Sequence, residues 1–287
     1  MRLETCARPE LHPPVRRLAN HLIALEGDPS EKREQVYSWI EGRCADIRQG
    51  AGLENNSTPI AAAFLEWIRQ LAPSRSVRDW KLSLLAEGRR GSCLALVSGA
   101  LLVGRSLGVR VDPMAVQDHL LLQVEVDGRV RLFDLVEGTR EFDLAGARSL
   151  YRVPTGSTPG FLRPLTDGEL ISCFGIERGA ELIESGDLRG AKRVLQKAIR
   201  DFPTHPSGFY NLGVVELKRK KWGRAEALFS RAISLFSNDA RPWYNRALLY
   251  WKLGRTDKCR ADLREALALM PEMAEARELS RLLAEKR

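Results

Sequence analysis

An α+β domain followed by an all-α repeat solenoid is the architecture that the 287-residue sequence predicts. Three observations carry it. The C-terminal third recurs every 34 residues. Two upstream segments space their apolar residues at helical intervals. The run "HLLLQVEVDGRVRLFDLVEG" alternates apolar and polar residues about Asp127-Gly128, a dipeptide suited to a tight β-hairpin. Helices that precede a sheet without alternating with its strands put the first domain in the α+β class.

Taken in order, "EKREQVYSWIEGRCADIR" and "TPIAAAFLEWIRQLA" predict helices, the second with Thr58 as candidate N-cap and Pro59 at the first helical position. "GSCLALVSGALLVGRSLG" is apolar on nearly all sides with small residues interspersed. It reads as a helix buried in the domain, opened by Gly91 and Ser92 and closed by Gly108. The hairpin follows. "YRVPTGSTPGFLRPLTDG", rich in Pro and Gly, reads as a linker. The predicted boundaries are 1–150 for the first domain, with its core at 76–145, 151–171 for the linker and 172–287 for the repeats.

Within the repeats, Ala191, Ala225 and Cys259 are 34 apart, as are Leu195, Phe229 and Leu263, then Ala198, Ala232 and Ala266. Gly186, Gly254, Pro203 and Pro271 fall on the same lattice, and so do Phe209 and Trp243. Helices that cross closely need small side chains at the crossing, and a proline ends the second helix of each unit. This pattern resembles the tetratricopeptide repeat. The repeats divide as 172–205, 206–239 and 240–273, with a capping helix at 274–287. Gly175 stands where later units have Phe209 and Trp243, and Glu216 takes a position usually aromatic. The resemblance implies a groove lined by the first helices, presenting Tyr210, Asn211, Lys218, Arg241, Tyr244, Asn245, Trp251 and Lys252. Aromatic and basic groups together suit an extended peptide of acidic or aromatic character. Tyr and Asn at these positions equally follow the repeat pattern itself.

The net charge of +8 is unevenly placed: from 172 onward 23 Lys+Arg face 15 Asp+Glu, and upstream the two signs cancel. A basic repeat region favours acidic partners by steering. "KRKKW" at 218–222 reads as a solvated turn or an anionic contact, and no nucleic-acid module is legible, so a protein or peptide is the expected partner. Five cysteines, an odd number without a C-x-x-C pair, predict a reduced chain. "MRLETCARPELHPP" has charges and prolines where a secretory leader needs an apolar run, and no stretch approaches the ~18 apolar residues of a membrane span, so a cytoplasmic location is expected. His12, His21 and His205 do not cluster with carboxylates or thiols; no metal and no cofactor are expected.

Cys93 heads its predicted helix, where unpaired backbone N–H groups favour a thiolate. With a two-residue turn at Asp127-Gly128, opposed residues sum to 255. His119 and Asp134 are then diagonal neighbours on one face, with Cβ atoms roughly 7 Å apart or less. Gln123 and Glu125 share that face, and Leu120, Leu122, Val124, Val126, Phe133 and Leu135 on the other supply core. Singly, each residue reads more simply: Cys93 as an inert buried thiol, His119 as a structural histidine, Asp134 as a local backbone acceptor. Together they make a Cys activated by a carboxylate-oriented His.

The order Cys, His, Asp, carried by "RRGSCLAL", "GVRVDPMAVQDHLLLQV" and "RLFDLVEG", resembles the transglutaminase-like superfamily with its papain-like core over roughly residues 30–145. One bacterial branch of it couples such a core to tetratricopeptide repeats. The resemblance implies Cys93 as nucleophile, His119 as general base and then acid, and Asp134 as the residue that sets the imidazole tautomer. The Cys93 backbone N–H would hold the oxyanion, with Trp80, Gln70 or a loop amide as second donor. A cysteine-dependent amide hydrolase acting on a peptide or protein recruited by the repeats is therefore expected. The alternatives are a non-catalytic interaction scaffold with a degenerate core, and an acyl-transferase to amines.

Overall fold

The computed structural model describes residues 11–27, 30–51, 57–71, 79–89, 91–116, 119–136, 140–151 and 162–285. The chain divides into two compact units, residues 1–154 with 161–174 and residues 155–160 with 175–287.

The first unit opens with α1 (Pro13–Leu25), started by prolines that need no N–H partner, whose Val15, Leu18, Ala19, Leu22 and Ile23 form one buried stripe. Next come α2 (Ser30–Ala51), α3 (Ser57–Gln70), the single turn α4 (Ser83–Ala86) and α5 (Cys93–Ser106). The helix α3 already begins at Ser57, so Thr58 lies inside it rather than at its cap. Every residue of α5 from Leu94 to Gly104 is buried. Its small residues sit where neighbours press closest: a Cβ on Gly99 would stand 3.0 Å from the Trp39 ring, and one on Gly104 would stand 2.8 Å from Phe64 and 2.9 Å from Val111.

Four antiparallel strands follow in the order β1 (Arg110–Val116), β2 (His119–Val126), β3 (Arg129–Asp134) and β4 (Arg140–Phe142). Leu122 pairs with Phe133 and Val126 with Arg129, so opposed residues sum to 255 across a turn whose Asp127 and Gly128 both have positive φ. The face carrying Leu120, Leu122 and Val124 is buried. The His119 face is not the polar one that Gln123 and Glu125 suggested. Met114, Val116, Leu121 and Leu132 form a second small core there with Ala147 of α6 (Leu144–Leu150), and Phe142, Tyr151 and Leu162 pack against it. The chain then returns along β1: Leu162 and Leu165 donate to Ala115 and Pro113. The helix α7 (Asp167–Glu184) starts within the stretch read as a linker; residues 152–161 of that stretch lie outside the described residues.

The second unit contains the rest of α7, then α8 (Leu188–Asp201), α9 (Pro206–Lys218), α10 (Trp222–Leu235), α11 (Ala240–Lys252), α12 (Thr256–Leu269) and α13 (Ala274–Glu285). The nine lattice residues, from Ala191 to Ala266, are all at most 3% exposed. Glu216, at the expected aromatic position, is buried and meets the Lys192 ammonium at 2.6 Å, so a charge pair fills the space of a ring.

The turns joining α7 to α8, α9 to α10 and α11 to α12 each hold a left-handed residue: Gly186, Lys220 and Gly254 have φ of +86°, +57° and +68°. A lysine there costs ~1–2 kcal/mol, against ~0.5–1 kcal/mol for the extra freedom glycine loses on folding. Lys220→Gly is therefore expected to stabilise the repeats by roughly 0.5 kcal/mol, read as a rise in the urea midpoint; a fall would contradict it.

Candidate active site

The first unit brings Cys93, His119 and Asp134 together. His119 is the first residue of β2 and Asp134 the last of β3, so antiparallel pairing puts both at one end of the sheet. Cys93 reaches that end from the first turn of α5. Gly91, buried ahead of it, allows close packing, since a Cβ there would lie 2.5 Å from the Ala95 Cβ. Ser92 donates its N–H to the Asp79 carbonyl at 2.7 Å, which pins the approach to the helix. Ser92 is the N-cap by backbone conformation, but its hydroxyl makes no capping bond.

His119 Nε2 lies 2.9 Å from Asp134 Oδ1, close enough for an ion pair, although Nε2 makes no well-directed hydrogen bond. The Cys93 side chain lies near the same imidazole and favours its charged form. With Nε2 turned to the carboxylate, Nδ1 is the nitrogen left for sulfur. Oδ1 accepts the Val136 N–H at 2.9 Å, so Asp134 is a local backbone acceptor and an imidazole partner at once.

No sequence motif marks Tyr151. Its hydroxyl donates to Asp134 Oδ2 at 2.5 Å, and its ring stacks on His119 with centroids 5.5 Å apart and planes 27° apart. It follows α6, whose N-cap Asp143 accepts the Gly146 N–H at 2.7 Å. The signal available was that capped turn; the Pro/Gly-rich run starting at Tyr151 obscured it.

Burial disfavours the His119 cation, but Asp134 and Cys93 beside it outweigh that and push the imidazole up to about 10. Burial likewise opposes ionisation of Asp134, and the His119 bond, with Tyr151 and Val136 behind it, holds the carboxyl down at about 2. The signs fix a pH window. A raised histidine contributes stability fully below its unfolded value of 6.5 and loses it as pH rises through about 10. A depressed aspartate contributes above its unfolded value of 3.8 and loses it as pH falls through about 2. The urea stability difference between wild type and Asp134→Asn is therefore expected to be largest between pH 4 and 6.5 and to shrink on both sides. A difference that grows above pH 8 would contradict this pairing.

The second-donor candidates stand elsewhere in role. Gln70 is exposed and donates to Glu66 at 3.0 Å, and Trp80 is buried with its ring edge-on to Phe174 at 5.7 Å. Cys44, Cys173 and Cys259 are buried, whereas Cys93 is partly exposed; Cys6 lies outside the described residues. Burial pushes the Cys44 and Cys259 thiols up to about 11. Among the described residues no group of three His, Cys, Asp or Glu is placed to hold a metal ion, and no helix is long and apolar enough to cross a membrane.

In the second unit the predicted groove residues are only partly gathered. Asn245 donates to the Tyr210 hydroxyl at 3.3 Å, and the Arg241 guanidinium lies 5.2 Å from the Tyr210 ring centroid. Arg241 also forks onto Asp239, the N-cap of α11, at 2.9 and 2.7 Å, so its charge is already matched. Tyr244 and Trp251 pack against the repeat core, with the Lys252 ammonium 6.0 Å from the Trp251 ring. Lys218 and Lys252 are exposed in the last turns of α9 and α11, and Asn211 is half-buried.

Family profiles of the tetratricopeptide repeat match residues 176–240 and 212–284. The C-terminal region therefore carries tetratricopeptide repeats. Among curated proteins the chain is similar to a UPF0162 protein of Xylella fastidiosa strain 9a5c, 25% identical over 194 residues, which are 68% of this chain and 59% of the relative. Its counterpart in strain Temecula1 is 24% identical over 194 residues, with the same two coverages. The chain thus spans about three fifths of the length of the curated relatives it matches. Among solved structures, the Arabidopsis OM64 TPR domain matches with TM-score 0.41 and 19% identity over 42% of this chain and 99% of that one. The first TPR of Spaghetti (RPAP3), bound to the HSP90 peptide SRMEEVD, matches with TM-score 0.39 and 20% identity over 40% of this chain and 91% of that one.

Proposed function

We propose that the chain is a cysteine-dependent amide hydrolase of transglutaminase-like design whose repeats hold a peptide or protein partner. The observation that carries the reading is the 2.9 Å contact of His119 with Asp134 on an imidazole that has the one partly exposed cysteine described beside it. The Cys93 thiolate adds to the amide carbonyl carbon, and the oxyanion formed faces the N–H groups at the head of α5. His119 gives its proton to the leaving amine as the C–N bond breaks, leaving an acyl-thioester. It then takes a proton from water, which attacks that ester, and the acid leaves with Cys93 restored. Asp134 stabilises the imidazolium throughout.

Iodoacetamide at pH 6, followed by peptide mapping, tests this. Cys93 is expected to be carboxamidomethylated well ahead of Cys44, Cys173 and Cys259. Protection of Cys93, or a rate no higher than that of an ordinary thiol, would remove the hydrolase reading. Incorporation of an added primary amine into product would redirect it to acyl transfer.

The second reading, a non-catalytic scaffold, is favoured by the repeat-profile match across 176–284. Tetratricopeptide repeats commonly bind extended peptides, and the excess basic charge of this region favours an acidic one. Both readings share that partner and differ in whether Cys93 reacts.

A further inference from the structure

We propose that Tyr151 is a positioning residue of the Cys93–His119–Asp134 centre, its hydroxyl holding one carboxylate oxygen of Asp134 while its ring covers one face of the His119 imidazole. The inference rests on the amide-hydrolase reading of the same site. The two oxygens of Asp134 have separate partners. Oδ1 faces Nε2 and the Val136 N–H, each at 2.9 Å, and Oδ2 takes the Tyr151 hydroxyl at 2.5 Å. A carboxylate held at one oxygen can still turn about its Cβ–Cγ bond; held at both it cannot. That restraint matters because Nε2 makes no well-directed hydrogen bond of its own, so its aim depends on where Oδ1 is kept.

The ring contributes separately. At 5.5 Å and 27° from the imidazole it stands where water would otherwise reach the Nε2–Oδ1 contact and weaken it. Tyr151 is itself fixed: its N–H donates to the Ala147 carbonyl at 3.1 Å, and Phe142 meets its ring edge-on at 6.5 Å. The charged and titratable groups facing Asp134 are His119 from β2, Tyr151 after α6 and Arg140, opposite it on β4, with Cys93 of α5 beyond the imidazole.

Tyr151→Phe keeps the ring and removes only the hydroxyl, and the full chain carrying it can be followed in two ways. By NMR of carboxyl-labelled aspartate, the Asp134 titration is expected to move up by about one unit, since a lost donor favours the protonated acid. Alkylation of Cys93 by iodoacetamide at pH 5 is expected to slow by about two- to fivefold, less than for loss of His119 itself, because the hydroxyl acts only through the carboxylate. In an Asp134→Asn background the same substitution should add nothing to the alkylation loss, because the hydroxyl acts through the carboxylate. An unchanged Asp134 titration and alkylation profile, with or without a lower melting temperature, would overturn the assignment while leaving the hydrolase reading intact. If instead wild-type Cys93 alkylates no faster than an ordinary thiol but the Asp134 titration still moves, the hydrolase reading falls and the positioning role stands.

Discussion

Replacing His119 by Ala is expected to slow iodoacetamide alkylation of Cys93 at pH 6 by roughly 10-fold, and turnover of any amide substrate by roughly 100- to 10,000-fold. The two numbers differ for a physical reason. At pH 6 an ordinary thiol is almost wholly protonated, so a base able to take its proton raises the attacking fraction, and the poorer nucleophilicity of a stabilised thiolate gives part of that gain back, which leaves about one order of magnitude. Amide cleavage needs more. An amine leaves only as its nitrogen is protonated, and the proton must come from the same imidazole, so removing it takes away the acid as well as the ion pair. The geometry that makes this specific is the contact of His119 with Asp134, with Cys93 beside the same imidazole. Equal losses in alkylation and turnover would mean that His119 only tunes the thiol. No loss in either would mean that it is a structural histidine.

The repeats were the most legible part of the chain, because their cause is local and recurs. A small residue at Ala191, Ala225 and Cys259 is required wherever two helices cross, and each is fully buried. The hairpin was legible for a similar reason: Asp127-Gly128 sets the register, and the register brings His119 and Asp134 to one face. What the pattern did not carry was the fate of that face. Alternation marks which residues share a side and says nothing of what covers it, and here α6 and the return segment at 162–165 bury it. Tyr151 was hidden for the same reason. Its role depends on an approach from 17 residues away, and no periodicity links it to Asp134. In the groove, the repeat lattice placed Tyr210 and Asn245 near each other, but it could not show that Arg241 turns to the cap residue Asp239, two positions before it.

Asp262→Ala is expected to destabilise the repeat region by about 3 kcal/mol, measured as ΔG of urea unfolding, because it strands a mostly buried cation whose side chain is 16% exposed. Asp262 is 5% exposed on α12, and Arg246 of α11 forks onto it, with Nε and Nη2 at 2.7 and 2.8 Å from the two carboxylate oxygens. The remaining donor Nη1 goes to the Ser230 hydroxyl on α10 at 2.8 Å, and the guanidinium lies 5.1 Å from the Trp243 ring centroid. With the carboxylate gone, a hydroxyl and aromatic faces remain in contact with the guanidinium, and the Glu226 carboxylate that also acts on it is already paired with Arg255. The Glu226–Arg255 pair is a control within the same unit: its side chains are 28% and 49% exposed, and Arg255→Ala is expected to cost less than about 1 kcal/mol. Replacing both members of the buried pair, Arg246→Met with Asp262→Leu, should recover most of the loss, since desolvation of the charges then disappears with their attraction. A cost for Asp262→Ala as small as that for Arg255→Ala would show that water reaches Arg246. The outcome bears on the proposed groove because α11 also carries Tyr244 and Asn245, and the same guanidinium ties it to Ser230 of α10 and Asp262 of α12. Loss of partner affinity in Asp262→Ala that the Met/Leu pair restores would tie the groove to the packing of α11 rather than to the charge itself.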